Sequence, residues 1–127
     1  MRRLLFLLSI ILLSACSSGD DAAGTMQSYL AARAQADATR MQSLSCAAWE
    51  SQALIQAQSF RSMNAELDGV MCHSIGAEGG YELVQCDGRI LTSYNGENRE
   101  WALGTYRMIK EDGAWRMCGE AEAPPIP

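Results

Sequence analysis

The sequence predicts an α+β fold in which two N-terminal helices pack on a four-stranded antiparallel sheet. Residues 26–64 contain neither Gly nor Pro and are rich in Ala, Gln, Ser and Met, a composition that favours helix. From residue 66 onward glycine becomes frequent and apolar residues alternate with a period of two, which is typical of strands. Helices followed by strands, rather than alternating with them, indicate the α+β class.

Two helices are expected in the Gly-free region because a short Ser- and Cys-containing segment interrupts its helical pattern. The first helix is predicted over residues 26–44, with Thr25 as its N-cap. The second is predicted over residues 47–63, with Ser45 as its N-cap. This second helix carries an apolar stripe with steps of three or four residues, as a helix that covers a core does. The stripe consists of Trp49, Ala53, Ala57, Phe60 and Met63.

Three turns divide the rest of the chain into four strands. The strands are predicted over residues 67–75, 81–94, 98–110 and 114–119. The dipeptide Asn95-Gly96, between the second and third strands, is the strongest short hairpin signal, and Asp112-Gly113 marks the next turn in the same way. Consecutive hairpins make an antiparallel meander, and the helices must cover one face of it.

The N-terminus combines a positively charged start with a short apolar run. Arg2 and Arg3 precede residues 4–13, which are apolar except for Ser9. A membrane-spanning helix needs about 20 apolar residues. This shorter run is therefore predicted to be the apolar region of a secretory signal peptide over residues 1–15.

The segment that follows, Leu13-Ser14-Ala15-Cys16, resembles the lipobox of bacterial lipoproteins. The resemblance implies cleavage before Cys16, a diacylglyceryl group on its sulfur, and an acyl chain such as palmitate on its amino group. Two or more acyl chains anchor a protein stably to a membrane. In bacteria with two membranes, Asp directly after the lipidated Cys favours retention of a lipoprotein in the inner membrane, and here Ser17 occupies that position. The resemblance thus implies the outer membrane, or the outer leaflet where a cell has one membrane.

The anchor predicts how the processed chain is organised. Residues 16–24 are expected to be the lipidated Cys and a flexible tether, and residues 25–120 the folded domain. Residues 121–127 contain all three prolines and are expected to be an extended tail. The whole chain has a net charge of −5, and loss of residues 1–15 leaves eight basic and fifteen acidic side chains, a net charge of −7. This acidity disfavours nucleic acid as a partner.

The folded body resembles a known superfamily over residues 25–119. Its two helices, its meander and the closing sequence YRMIKEDGAWRMCG at residues 106–119 are similar to the nuclear transport factor 2 superfamily, which has a cystatin-like cone fold. The resemblance implies that the four-stranded meander is curved and that the space between the layers can form a pocket. Members of this superfamily include cofactor-free isomerases and cyclases, and many form oligomers through the exposed sheet face.

Apart from Cys16, the chain has four cysteines, and an even number in an exported protein favours disulfides. Four cysteines allow three pairings. The period-two register of the first hairpin places Cys72 opposite Cys86, close enough for a bond between the strands. Cys46 and Cys118 then form the second bridge, which ties the helices to the last strand.

The sequence offers no catalytic constellation. His73 is the only histidine and is expected on the face opposite Cys72. The candidate bases Asp37 and Asp87 are selected by residue type alone, and acid–base chemistry also needs a second group within hydrogen-bond reach. A zinc site is disfavoured because no Cys-x-x-Cys pair is present. No catalytic residue, metal or cofactor is therefore expected.

The candidate ligand-binding residues are aromatic. They are Trp49 and Phe60 from the helices and Trp101 and Tyr106 from the sheet, although closed core is the favoured interpretation of this cluster. The expected function is a membrane-anchored, non-catalytic binding or accessory module outside the cytoplasm, with an unknown protein or a small apolar ligand as its partner. Two alternatives stay open: a cofactor-free isomerase or cyclase, and an envelope structural protein that forms homo-oligomers.

Overall fold

The computed structural model describes residues 21–121, and within them helices come first and antiparallel strands follow, which confirms the α+β class. The helices are α1 (Ala22–Ala34), α2 (Ala38–Ser43) and α3 (Glu50–Phe60), and one 3₁₀ turn (Ala47–Trp49) precedes α3. The strands are β1 (Asn64–Glu78), β2 (Tyr81–Tyr94), β3 (Glu97–Ala102), β4 (Thr105–Glu111) and β5 (Ala114–Glu120). The predicted signal peptide, Cys16 and residues 122–127 of the predicted tail lie outside the described residues.

The first helix begins earlier than the sequence predicts. The carboxylate of Asp21 accepts a hydrogen bond from the backbone N–H of Gly24 at 2.7 Å and caps α1. Thr25 lies inside the helix and is buried, so its assignment as the N-cap was wrong. Because Asp is as good a cap as Thr, the helix extends into the last residues of the predicted tether.

The predicted helix over residues 26–44 is two helices. Ala36 has a φ of +53°, a left-handed conformation that ends α1. The carboxylate of Asp37 then accepts a hydrogen bond from the backbone N–H of Arg40 at 3.1 Å and starts α2. The prediction of one helix was wrong here because an interior Asp serves as a new N-cap.

The segment between α2 and α3 joins the sheet. Ser45 does not cap a helix as predicted, because its hydroxyl donates to the carbonyl of Met41 and its backbone bridges to β5. Cys46 N–H donates to Met117 C=O at 2.9 Å, and Met117 N–H donates to Leu44 C=O at 2.8 Å. These bonds cover the outer edge of β5.

The sheet has one more strand than predicted, because the third predicted strand, residues 98–110, is divided into β3 and β4. Both lie along the same edge of β2, with β3 beside its C-terminal half and β4 beside its N-terminal half. Gly88 of β2 has a φ of +97°. The regular pairing along this edge of β2 is interrupted there, between Ala102 at the end of β3 and Thr105 at the start of β4. The hairpin order of the predicted meander is otherwise retained.

The helices form two tiers over one face of the sheet. Helix α1 packs on the strands, whereas α3 packs mainly on α1 and α2. The buried residues of α3 include Ala53 and Ala57, whose small side chains let the helices approach closely. The largest fully buried side chains of α1 and the sheet meet beneath α1. They include Met26, Tyr29, Leu30, Val84, Met108 and Met117.

Both predicted cysteine pairs lie at bonding distance. Cys72 and Cys86 are directly opposed on β1 and β2, and their Cα atoms are 4.0 Å apart. Cys46 and Cys118 tie the segment before α3 to β5. Disulfides of this kind indicate an oxidising compartment. Among residues 21–121, none of the helices has the length and apolar character required to cross a bilayer.

Candidate binding groove

The four predicted aromatic residues do not line one common pocket. Trp49 and Tyr106 pack with the central core, whereas Phe60 and Trp101 lie outside that cluster. The predicted interlayer site is therefore divided among three places: the central core for Trp49 and Tyr106, the contact between α1 and α3 for Phe60, and the surface for Trp101.

Trp49 belongs to a hydrogen-bonded group inside the core. Its indole N–H donates to the hydroxyl of Tyr29 at 3.1 Å, and that hydroxyl donates to the amide oxygen of Gln56 at 2.7 Å. Tyr29 is fully buried, and this burial raises the pKa of its hydroxyl, which the Trp49 hydrogen bond partly offsets. The tyrosine stays protonated and joins α1 to α3, so the interaction is structural.

Phe60 and Tyr106 are also buried. The guanidinium of Arg33 lies 4.9 Å from the centre of the Phe60 ring, a cation–π contact between α1 and α3. Burial raises the pKa of Tyr106, whose hydroxyl accepts a hydrogen bond from the backbone N–H of Gly104 at 3.4 Å. Neither ring is presented to solvent, which favours the core interpretation for both.

Trp101 lies on the surface, beside a groove. Its side chain is 45% exposed, and Tyr94 beside it is 51% exposed. The groove has a volume of about 330 Å³ and lies between the end of the helical layer and the β2–β3 hairpin. We call it the aromatic groove; it is lined by Met63, Thr92, Tyr94, Glu97, Arg99 and Trp101.

Strand register brings these side chains to one face. Ile90 of β2 pairs with Trp101, and Thr92 pairs with Arg99. Ile90 and Thr92 are buried, so this face continues the core-facing side of the sheet. The groove is the part of that face that the helices leave uncovered. Its volume lies at the lower end of the range of small-molecule sites.

Hydrogen bonding fixes the shape of the groove. The indole N–H of Trp101 donates to the hydroxyl of Thr92 at 3.0 Å, which orients the ring without occupying its face. At the rim, Arg99 lies 3.5 Å from the carboxylate of Glu97. An apolar surface with a mixed-charge rim suits an uncharged apolar or aromatic group.

A second, larger hollow lies on the opposite face of the same hairpin. It has a volume of about 620 Å³ and is lined mainly by polar residues, among them Glu66, Ser93 and Asn98. Next to it, Arg89 donates to Asp68 at 2.7 Å and to Glu100 at 3.0 Å, and these carboxylates raise the pKa of the guanidinium. Its charge is already matched by two acids, so it is not positioned to bind a further anion.

The acid–base candidates lie away from the aromatic groove. Asp37 caps α2, and the His73 imidazole lies 4.0 Å from the Asp87 carboxylate. Both side chains of the second pair are at least half exposed. Within residues 21–121, no three His, Cys, Asp or Glu side chains converge in an arrangement able to hold a metal ion.

Sequence reasoning singled out Trp101 but missed the residues that make a groove around it. Tyr94 carried a usable signal, because Ile90, Thr92 and Tyr94 alternate along one strand face. Met63 was predicted in the apolar stripe of the second helix, which was wrong, because α3 ends at Phe60 and Met63 lies beyond it, where it lines the groove.

Comparison with known proteins adds no assignment: no protein-family model matches the sequence, and no curated protein matches it. A function is therefore inferred from the chain's own residues and geometry.

Proposed function

We propose that the protein is a lipid-anchored, non-catalytic binding module that takes up an apolar or aromatic group in the aromatic groove. The observation that carries the proposal is the pair of half-exposed aromatic rings, Trp101 and Tyr94, beside Met63. Burying a fully exposed large apolar side chain releases about 1.5–3 kcal/mol. Trp101 and Tyr94 are about half exposed, so a ligand that covers them gains roughly half of that free energy from each ring. The bond from Trp101 to Thr92 holds one ring in place beforehand, which reduces the entropy lost on binding.

The resemblance of residues 13–16 to a lipobox supports the membrane anchor. The fold indicates how an anchored domain would be oriented relative to the bilayer. Five residues separate Cys16 from the first residue of α1, and they can reach at most about 18 Å. The N-terminal half of α1 lies beside the β4–β5 turn, where Thr25 and Gly113 line one hollow. The aromatic groove lies at the β2–β3 turn, near the other end of β2. The domain would therefore sit close to the bilayer with the groove facing away from it.

The resemblance to the nuclear transport factor 2 superfamily remains part of the proposal. It is supported by helices over one face of an antiparallel sheet and by the break in the β2 ladder at Gly88. The isomerase alternative within that superfamily needs a carboxylate beside a buried donor. The two candidates, Asp37 and Asp87, serve as a helix cap and as a neighbour of His73. A binding module therefore accounts better for this arrangement.

Anchoring is tested at Cys16. Cells that produce the wild-type protein should incorporate labelled palmitate into it and retain it in the membrane fraction. Cys16→Ala should take up no label and should accumulate unprocessed or be released, because the thioether cannot form. Ser18→Ala, two residues away, serves as the control and should behave as wild type. Wild-type protein without label would refute the anchor.

The groove is tested with N-phenyl-1-naphthylamine, an uncharged aromatic probe that fluoresces in apolar sites. Trp101→Ala should weaken probe binding roughly tenfold, equivalent to about 1.4 kcal/mol, because one of the two half-exposed aromatic rings of the groove is lost. Two substitutions outside the groove should leave binding unchanged: Ile55→Ala, at a side chain that is 54% exposed on α3, and His73→Ala. Equal binding by the Trp101 and Ile55 variants would place the probe elsewhere and contradict the proposal.

A further inference from the structure

The aromatic groove is open along the outer edge of β3. Within the described residues, β3 pairs only with β2, so its other edge has no strand beside it. The groove follows this strand, because three alternate residues of β3, Glu97, Arg99 and Trp101, line it. The rings of Trp101 and Tyr94 are 45% and 51% exposed here. An extended segment lying along this edge would therefore cover both rings.

The chain leaves β5 in the direction of this open edge. β5 pairs with β4, and Glu120 at the end of β5 is opposite Tyr106. One residue further on, the backbone N–H of Ala121 donates to the carbonyl of Thr105 at 2.8 Å, so the antiparallel course still holds where the described part of the chain ends. β3 and β4 lie one after the other along the same edge of β2. Residues that follow Ala121 on this course therefore run beside β3, towards the groove.

The distance to the groove is within reach of residues 122–127. Ala121 and Ala102 line the same small hollow, of about 150 Å³, and Ala102 is the chain neighbour of Trp101. Because each further residue of the tail comes level with one earlier residue of β3, Pro125 comes level with Trp101. At about 3.1 Å per residue, the rise of a polyproline II helix, the six residues of the tail span about 19 Å. This is about the length of β3, which also has six residues.

The composition of this segment suits the groove. Residues 122–127, which lie outside the described residues, have the sequence EAPPIP. Proline has no backbone N–H, so three prolines disfavour another hydrogen-bonded strand and favour the polyproline II conformation. Proline-rich segments in this conformation bind in grooves lined by aromatic side chains, and they lose little entropy because their backbone is stiff beforehand. The tail therefore has the chemistry that the exposed rings of the groove recognise.

From these observations we infer that residues 122–127 dock in the aromatic groove of their own chain, with the ring of Pro125 against Trp101. The inference rests on the proposed function, since it names an internal ligand of the same groove. An external apolar ligand then has to displace the tail before it binds. Because only a few residues connect the tail to β5, its effective concentration at the groove is on the order of millimolar, which favours the chain's own tail over that of a second copy.

Photo-cross-linking of the full-length protein in cells tests the docking. Benzoylphenylalanine in place of Ile126 should become linked within one chain, so the product keeps the mass of a single chain and peptide mapping finds the link on the peptide that contains Met63 or Trp101. The same replacement at Ile75, which is 48% exposed near the opposite end of β2, is the matched control and should give no link to these peptides. A groove-linked product of twice the mass would assign the groove to the tail of a second copy and would overturn the inference, as would the absence of any link to the groove.

Substitutions within the tail separate docking from chance contact by a tethered segment. Adding Pro124→Ser and Pro125→Ser to the Ile126 cross-linker should reduce the groove link roughly fivefold, because the apolar rings are lost while the tail keeps its length. Glu122→Ser is the control, since residue 122 comes level with Gly104, outside the groove, and it should leave the yield unchanged. Equal yields from all three proteins would mean that the link arises by collision, and the inference would be wrong.

Probe binding distinguishes failure of this inference from failure of the proposed function. The protein with Pro124→Ser and Pro125→Ser should bind N-phenyl-1-naphthylamine about threefold more tightly than wild type, because the apparent affinity rises with the fraction of molecules whose groove is free. Glu122→Ser should bind the probe as wild type does. If Trp101→Ala weakens probe binding but the proline substitutions leave it unchanged, the groove binds apolar groups without the tail, and this inference alone is overturned. If probe binding does not depend on Trp101 even in the proline variant, the groove takes up no apolar group, and the proposed function and this inference fail together.

Discussion

Replacement of Cys46 and Cys118 together by alanine is expected to lower the free energy of unfolding by about 4 kcal/mol. Their bridge closes 72 residues, and closing so long a loop removes much entropy from the unfolded chain. The bridge also holds the segment before α3 against β5, where two backbone hydrogen bonds cover the sheet edge. Alanine rather than serine is the suitable replacement because Cys46 is 1% exposed, and a buried hydroxyl without a partner would add its own cost.

The matched control is the double replacement of Cys72 and Cys86. That bridge closes only 14 residues and joins strands already paired with each other, so its loss should cost about 3 kcal/mol. Urea unfolding of the three proteins gives the comparison, with the slope of each transition showing whether the unfolded states differ in compactness. If the Cys72/Cys86 variant proved the less stable of the two, loop closure would not be the dominant contribution of these bridges.

The features of the sheet that depend on local residues were predictable from the sequence. Asn95-Gly96 and Asp112-Gly113 mark turns that the structure has, and the period of two sets the register that opposes Cys72 and Cys86. The helix boundaries were less predictable. Asp21 and Asp37 each accept one backbone hydrogen bond at a helix start, and Asp within a run of good helix formers gives only a weak signal of this role.

The candidate site was predicted only in part, because the helices are stacked in two tiers. An aromatic stripe at helical spacing shows that a helix buries one side, but it does not show whether the sheet or another helix covers that side. Phe60 of α3 contacts Arg33 of α1. The sequence predicts Trp101 with the core because it predicts one continuous strand over residues 98–110, where the structure has β3 and β4. The break at Gly104 leaves β3 beyond the helical layer, where its tryptophan is half exposed.

Gly88→Ala is expected to destabilise the protein by roughly 3–5 kcal/mol, the combined cost of a strained backbone and of overpacking. Gly88 has a φ of +97°, which residues with a Cβ rarely adopt. A Cβ built at this position would lie 2.6 Å from the carbonyl oxygens of Asp68 and Gly69, which belong to the backbone of the neighbouring strand and cannot rotate away. The β1–β2 ladder would have to separate at its bulge.

Gly96→Ala provides the matched control, since it isolates the cost of a positive φ. Gly96 has a φ of +78° in the β2–β3 turn, and nothing lies within 4 Å of a Cβ added there. This variant should lose only about 1–2 kcal/mol, the cost of the left-handed conformation alone. Thermal unfolding of both variants against wild type measures the difference. Because Gly88 adjoins the break that separates β3 from β4, Gly88→Ala should also disturb the aromatic groove and weaken probe binding. If the Gly88 variant were as stable as the Gly96 variant, the close approach of β1 and β2 would be relieved at little cost, which would contradict the prediction.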